Sequence, residues 1–196
     1  MNKSRFYLPY LKPLLDYIIV LIILAPCTLL FLFIMMTYTV MGQFPIFFQQ
    51  ERIGKNGKPF LLCKFRTLSL DVDKTLHQRK FFLGNFLRAT NLDELPQLWN
   101  VLCGDMSLVG PRPLPVEYAH LFSIEQNKRH TVLPGITGLA QVNGKNNISW
   151  DKKFKLDLKY VEKVSLILDG KILCKTLILA LSFSKDNSLS EEKFTG

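Results

Sequence analysis

One stretch, Leu14 to Phe48, is apolar almost without interruption, and a run of that length limits where the chain can reside. A spanning helix needs ~20 apolar residues. This run is longer, and no small-x-small site closes it as one would close a cleaved leader. Two details count against a simple crossing. Pro26 sits near the middle, where it removes a helix hydrogen bond and crowds the preceding turn. Both flanks are basic: Lys3, Arg5 and Lys12 precede the run, and Arg52, Lys55, Lys58, Lys64 and Arg66 follow it. Positive charge collects on the cytoplasmic side of a bilayer. A helix that enters one leaflet, breaks at Pro26 and returns satisfies both flanks. These features alone leave the re-entrant hairpin and the straight span both open.

Two further segments have a similar character. Gly170 to Phe183 is apolar but too short to cross. Its Lys171 and Lys175, four apart, share a helix face, which fits either an ordinary buried helix or one lying in the interface with its lysines snorkelling to water. Arg79 to Arg88, RKFFLGNFLR, mixes bases with aromatic rings. The chain is 48% hydrophobic and carries a formal charge of +9, so it calls for a partner that is apolar, anionic or both. Acidic headgroups, a phosphorylated substrate or nucleic acid would each answer the charge.

The remaining layout reads as helices joined by ordered loops. Gln49 to Lys58 reads as loop, and Phe60 to Phe65 as a short strand. Asp71 to Arg88 is polar and then amphipathic, with a helical pattern. Leu95 to Leu102 reads as a helix that Gly104 stops. Val116 to Arg129 and Trp150 to Val164 read as helices. Pro134 to Gly144, PGITGLAQVNG, is punctuated by glycine and reads as a turn and a short strand. Cys27, Cys63, Cys103 and Cys174 match no zinc spacing, and His77, His120 and His130 are not paired at ligand spacing. No G-x-G-x-x-G, G-x-S-x-G or H-E-x-x-H is present.

What remains for chemistry is Asn91-Leu92-Asp93-Glu94-Leu95-Pro96. As structure, Asn91 and Glu94 form a capping-box pattern, and acids in a first turn offset the helix dipole. As function, the same geometry sets two carboxylates beside free backbone N–H groups that attract phosphate. One carboxylate can attack phosphorus. The other can help hold Mg²⁺, which prefers one or two carboxylates plus substrate phosphates. Phosphoryl chemistry also needs cations near the transferring group. Lys64, Arg66, Arg88, Arg112 and Arg129 are the candidates, each otherwise a plain surface charge. Arg112 lies between Pro111 and Pro113, which make it a rigid arginine with a planar fork. Asp157 has Phe154 and Val161 at helical spacing, so it is either paired, for instance with Lys153, or functional.

The run LDELPQLWNVLCGDMSLVGPRPL, Leu92 to Leu114, resembles the signature of the bacterial sugar transferases, the monotopic phosphoglycosyl transferases. So do QQERIG, KFRT and PGITGLAQVNG, and together these blocks cover nearly the whole chain. The runs SWDKKFKLDLKYV and EEKFTG are similar to the small form that initiates bacterial N-glycan assembly. The resemblance implies an α+β, mostly helical fold. A re-entrant N-terminal membrane helix region would occupy 1–48, a catalytic domain on the cytosolic face 49–183, and a polar tail 184–196, with interfacial amphipathic helices and a few short strands. It implies a Mg²⁺-dependent transfer of a sugar 1-phosphate from a UDP-sugar to polyprenyl phosphate, with release of UMP, at the bacterial cytoplasmic membrane. Membrane lipid is then a partner and nucleic acid is not. Asp93 would be the nucleophile and Glu94 the second acid, both at the metal. Lys64, Arg66, Arg88, Arg112, Arg129, Gln141, Lys145 and Asp157 would contact substrate. The C-terminal similarity favours an N-acetylated amino-deoxy sugar. The chain departs from the family pattern at Ala25, where serine is frequent before the proline, at Leu133, and at Lys145, which keeps a charge but not the arginine fork. A rival of another class is a non-catalytic basic membrane-surface protein that binds anionic lipid or nucleic acid.

Overall fold

The computed structural model describes residues 7–71, 73–144 and 147–181, together with Phe194. Apart from Phe194, the tail expected over 184–196 lies outside the described residues, as do Lys3, Arg5 and Lys145.

Lys12–Val40 is one long α-helix, α1, entered through a short π turn at Tyr7–Leu11. Pro13 occupies the first turn, where an N–H would lack a helical partner anyway. Pro26 lies inside, and it denies a hydrogen bond to the carbonyl one turn earlier. The surface of α1 is inverted relative to a water-soluble helix. Lys12 and Asp16 are buried, while Leu21, Ile22, Leu29, Leu32 and Phe33 are exposed. Thr28, Thr37 and Thr39 turn their hydroxyls back onto the carbonyls of Leu24, Phe33 and Met35. Polar groups are satisfied in this way where no water is at hand. The helix is long and apolar enough to cross a membrane.

Both ends of α1 rest on the same domain. Near its start, Val20 joins a core with Leu98, Val101, Met106 and Leu108. Near its end, Ile34 and Tyr38 join a second core with Phe65, Leu83 and Leu87. The Tyr38 hydroxyl donates to the Arg66 carbonyl. Between these anchors, Leu21 to Phe33 covers roughly 20 Å at ~1.5 Å per residue.

The domain is α+β and mostly helical. An antiparallel hairpin pairs β1 (Phe47–Ile53) with β2 (Pro59–Phe65), from Phe47 opposite Phe65 to Ile53 opposite Pro59. The sequence reading placed a loop where β1 runs. Its polar run Gln49-Gln50-Glu51-Arg52 hides the strand, which pairing with β2 creates. The helix expected over Asp71 to Arg88 shrinks to α2, Phe82–Ala89. The residues before it are held instead as an open loop, with the Ser69 N–H donating to the Arg79 carbonyl at 2.8 Å and the Arg79 Nε returning to the Ser69 carbonyl. After α3 (Gln97–Leu102), β3 (Ser107–Val109) runs parallel to β4 (Gly135–Thr137). These strands meet so closely that a Cβ on Gly135 would lie 2.0 Å from the Gly110 nitrogen.

Between them, the helix expected over Val116 to Arg129 is broken. Two 3₁₀ turns, Val116–Leu121 and Lys128–Thr131, flank α4 (Ile124–Asn127), which Ser123 and Gln126 start with a complete capping box. α5 (Leu139–Val142) and α6 (Trp150–Lys163) follow, the latter capped by Ser149. Last is α7 (Leu166–Leu181), which buries Ile172 and Asp169 yet exposes Leu166, Ile167, Leu177 and Ile178. It is buried on one side and uncovered on the other.

The fit of α2 against the end of β2 is also close. A Cβ on Gly84 would sit 2.4 Å from the Thr67 carbonyl oxygen. Gly84→Ala should therefore destabilise the protein by about 1–3 kcal/mol in thermal or urea unfolding. Gly170→Ala, where a Cβ meets nothing within 4 Å, should be neutral or slightly stabilising.

Candidate active site

Asp93 and Glu94 stand in a 3₁₀ turn, Leu92–Glu94, wedged between α2 and α3. The capping box expected from Asn91 and Glu94 does not form. Asn91 is left-handed, with φ at 57°, and its side chain makes no cap bond. The chain turns sharply there, with the Asn91 N–H on the Arg88 carbonyl and the Glu94 N–H on the Asn91 carbonyl. The turn points Asp93 inward, where it is 6% exposed. Among the described residues its carboxylate makes no hydrogen bond. Burial, and then Glu94, raise its pKa to about 6, while Lys64, Arg88 and Arg112 pull it back down.

Each of those cations arrives on a different element. Lys64 comes from β2 and lies over the Phe48 ring at 5.7 Å. Burial lowers its pKa and the two acids oppose that shift. Arg88 ends α2 and donates to the Thr67 hydroxyl. Arg112 follows β3 and holds Glu94 at 3.1 Å. The acids and three cations thus form one constellation around a carboxylate that has no hydrogen-bonding partner among the described residues. In a water-poor setting, such positive charges act far more strongly on a phosphoryl group than they would in bulk solvent.

The Pro111-Arg112-Pro113-Leu114 turn that carries Arg112 is pinned at every carbonyl. Pro111 accepts from the Gly135 N–H at 3.0 Å and Leu114 from the Ile53 N–H at 2.9 Å. Arg112 accepts from Arg129 Nη2 at 2.8 Å, and Pro113 from Arg52 Nη1 at 3.2 Å. Arg129 is itself locked by Asp157, with Nη2 at 2.7 Å and Nε at 3.1 Å from one carboxylate oxygen. Both residues are buried. Asp157 therefore pairs with a distant arginine, not with Lys153 one turn away. The two lie beneath Arg112 and brace it.

The remaining sequence candidates sit elsewhere. Arg66 is buried, and its fork is closed by the Pro45 and Leu68 carbonyls, at 2.7 and 2.9 Å, and by Gln43. It ties the chain leaving α1 to the end of β2. Gln141 reaches the Ile136 carbonyl at 3.4 Å, and its buried Oε1 has no partner among the described residues. Lys145 lies outside the described residues. Sequence reasoning missed Arg52 and Thr67. Both stand inside motifs that had been singled out, QQERIG and KFRT, but only the fold shows what they touch. Burial and Arg112 lower the Arg52 pKa to about 10. His130, buried beside Arg129, is held neutral, its pKa lowered to about 4.

Among the described residues no three histidine, cysteine or acidic side chains converge as a metal cage. The donor set at Asp93 and Glu94 is two adjacent carboxylates. It suits a hard cation that brings its remaining oxygens from phosphate and water.

Comparison with known proteins places the chain in a family. Residues 7–182 match the family described as bacterial sugar transferase. EpsL of Bacillus subtilis (strain 168), described as an uncharacterized sugar transferase, is 43% identical over 194 residues, covering 95% of this chain and 96% of that protein. A UDP-glucose:undecaprenyl-phosphate glucose-1-phosphate transferase of Klebsiella pneumoniae is 39% identical over 192 residues, covering 90% of this chain and 41% of that protein. A UDP-galactose-lipid carrier transferase of Erwinia amylovora is 35% identical over 162 residues, covering 71% and 34%. The chain spans nearly all of EpsL and well under half of the other two.

Holding Asp93 away from water has a measurable cost. Its folded pKa, about 6, exceeds the ordinary 3.8, so the folded state binds the proton more tightly. Stability from this group is then greatest at acid pH and falls as pH rises from about 4 through about 6. Asp93→Asn should be more stable than the parent at pH 7.5, by about 1–3 kcal/mol, with the gap closing near pH 4. Thermal unfolding in detergent without divalent cations measures this.

Proposed function

This chain belongs to the bacterial sugar transferase family, and from that premise we propose that it transfers a sugar 1-phosphate from a UDP-sugar to polyprenyl phosphate through a covalent intermediate on Asp93. The observation that carries the proposal is the Asp93 carboxylate itself, buried, without a hydrogen bond among the described residues, and flanked by Lys64, Arg88 and Arg112. A purely structural acid in that position would be bound by its neighbours, as Asp157 is by Arg129. A basic surface that only gathers anionic lipid needs no buried acid.

In the first step an Asp93 oxygen attacks the sugar-bearing phosphorus. The bond from that phosphorus to the bridging oxygen breaks, and UMP departs with the electron pair. In the second step an oxygen of polyprenyl phosphate attacks the same phosphorus and Asp93 is freed. Lys64, Arg88 and Arg112 offset the charge that builds on the phosphoryl oxygens. Arg112, held to Glu94, is placed to take the nucleotide end. Mg²⁺ would be held by Asp93 and Glu94, and when bound it neutralises the diphosphate and steadies the leaving phosphate. The C-terminal similarity favours an N-acetylated amino-deoxy donor, beside relatives whose names carry glucose and galactose.

The reading also sets topology. The packing of the cores around Val20 and Ile34 against one domain supports placing both ends of α1 on one side of the bilayer. The roughly 20 Å between them is less than the ~30 Å of a hydrocarbon core. The helix dips in and returns, with the domain on the cytoplasmic face of the inner membrane.

Two experiments test this. With a panel of UDP-sugars and undecaprenyl phosphate, UMP should form only with Mg²⁺, and Asp93→Asn should lose at least about 10³-fold in rate. Mass spectrometry of the quenched enzyme should find a phosphosugar on Asp93, and full activity in the Asn variant would remove the nucleophile assignment. Separately, reporter tags at the N- and C-termini should both be accessible from the cytoplasm. Labelling of either one from outside would replace the re-entrant helix with a straight span.

A further inference from the structure

Of the three cations around Asp93, Arg88 is the one whose own element would leave it loose. It lies in the last turn of α2, a helix of eight residues. What holds it is a hydroxyl. Arg88 Nη2 donates to Thr67, and among the described residues the Thr67 hydroxyl has no other partner. Arg112 and Arg129 are held instead by the carboxylates of Glu94 and Asp157. A carboxylate offsets the charge of the arginine it binds. A hydroxyl fixes the plane of the guanidinium and leaves its charge whole.

Thr67 is a firm point from which to do this. The residue before it, Arg66, gives its N–H to the Ile46 carbonyl at 2.9 Å, and its own carbonyl accepts from the Tyr38 hydroxyl. Thr67 is buried, and its main chain lies against Gly84, where no side chain stands between strand end and helix. Gly84 and Arg88 are four apart and share one face of α2. The main chain and the hydroxyl of Thr67 thus meet successive turns of the same helix. The helix end offers little competition. A guanidinium there is drawn to the last carbonyls. Those of Phe86 and Leu87 already accept from the Thr90 hydroxyl, at 2.9 and 3.1 Å. That of Arg88 accepts from the N–H of Asn91, which opens the turn bearing Asp93.

We infer that Thr67 is a positioning residue for phosphoryl transfer: its hydroxyl aims the Arg88 guanidinium at the phosphorus that Asp93 attacks, with the full positive charge kept for the transition state. This rests on the transfer reaction proposed above. An arginine so placed acts where charge builds on the phosphoryl oxygens. One that is not pinned samples other rotamers and loses that effect. Lys64 and Arg112 have their own supports in the hairpin and in Glu94, and they still meet the donor. Loss of the hydroxyl therefore slows the chemistry more than it weakens donor binding.

The test uses the full chain in nanodiscs of phosphatidylethanolamine and phosphatidylglycerol, with undecaprenyl phosphate and the UDP-sugar that turns over fastest. Thr67→Val should lower kcat at least about tenfold while KM for the donor stays within about threefold. Thr67→Ser, which keeps the hydroxyl and loses the methyl, should hold kcat within about threefold of the parent. Phenylglyoxal labelling, read by peptide mass spectrometry, should modify Arg88 at least about threefold faster in Thr67→Val, with the buried Arg66 and Arg129 unchanged. Thr67→Ala takes the place of the Val variant if that one does not fold. A Val variant as fast as the parent, a Ser variant as slow as the Val one, or unchanged labelling of Arg88 would overturn the inference. Faster labelling of all three arginines would also overturn it, since that reports a general loosening. A parent chain inactive with every UDP-sugar would overturn the transfer reading instead, and the labelling contrast would still decide whether Thr67 holds Arg88.

Discussion

Lys12 and Asp16 leave water on the inner side of α1 because Asp169 and Ser107 meet them there, while the leucines and phenylalanines of the same helix face outward. Charged groups are expensive to bury unless each finds a partner. The pairing decides which side of the helix belongs to protein and which to lipid. Once that side is set at the start of α1, and Tyr38 sets it again at the end, the helix cannot roll. β3, α6 and α7 are placed by the same contacts, and the remaining loops hang from them.

The site shows the opposite treatment of charge. At Asp93 the described residues supply cations without a direct hydrogen bond, and the pKa rises to about 6. At Asp157 they supply an arginine whose Nη2 and Nε both meet one carboxylate oxygen. Burial, which the two aspartates share, therefore does not by itself decide how each is paired. Keeping a buried carboxylate open to a ligand costs stability. Strain of this kind is normal where a group must stay reactive.

Much of this was legible before any coordinates, and the pattern of what was not is physical. Asp93, Glu94 and Arg112 lie within one short run, and their residue types announce phosphate chemistry, so the sequence points at them directly. The apolar run with Pro26 was as plain. Pairings across long separations were not. Arg129 and Asp157 are 28 residues apart, and nothing local says that they meet. Arg66 has the look of a phosphate ligand, yet the main chain claims its fork. Asn91 has the composition of a helix cap, but its left-handed backbone turns the acids inward before α3 begins. The hairpin strand β1 exists because β2 pairs with it, and its own residues look polar enough for a loop.

The pinned turn at Pro111 to Leu114 has one more consequence. Its four carbonyls are engaged and its two prolines have no N–H to lose, so the main chain there behaves as a fixed mount, indifferent to which side chain it carries at its apex. The arginine at its apex is therefore delivered to one place every time, and only the torsions of its side chain are left to adjust to an incoming anion.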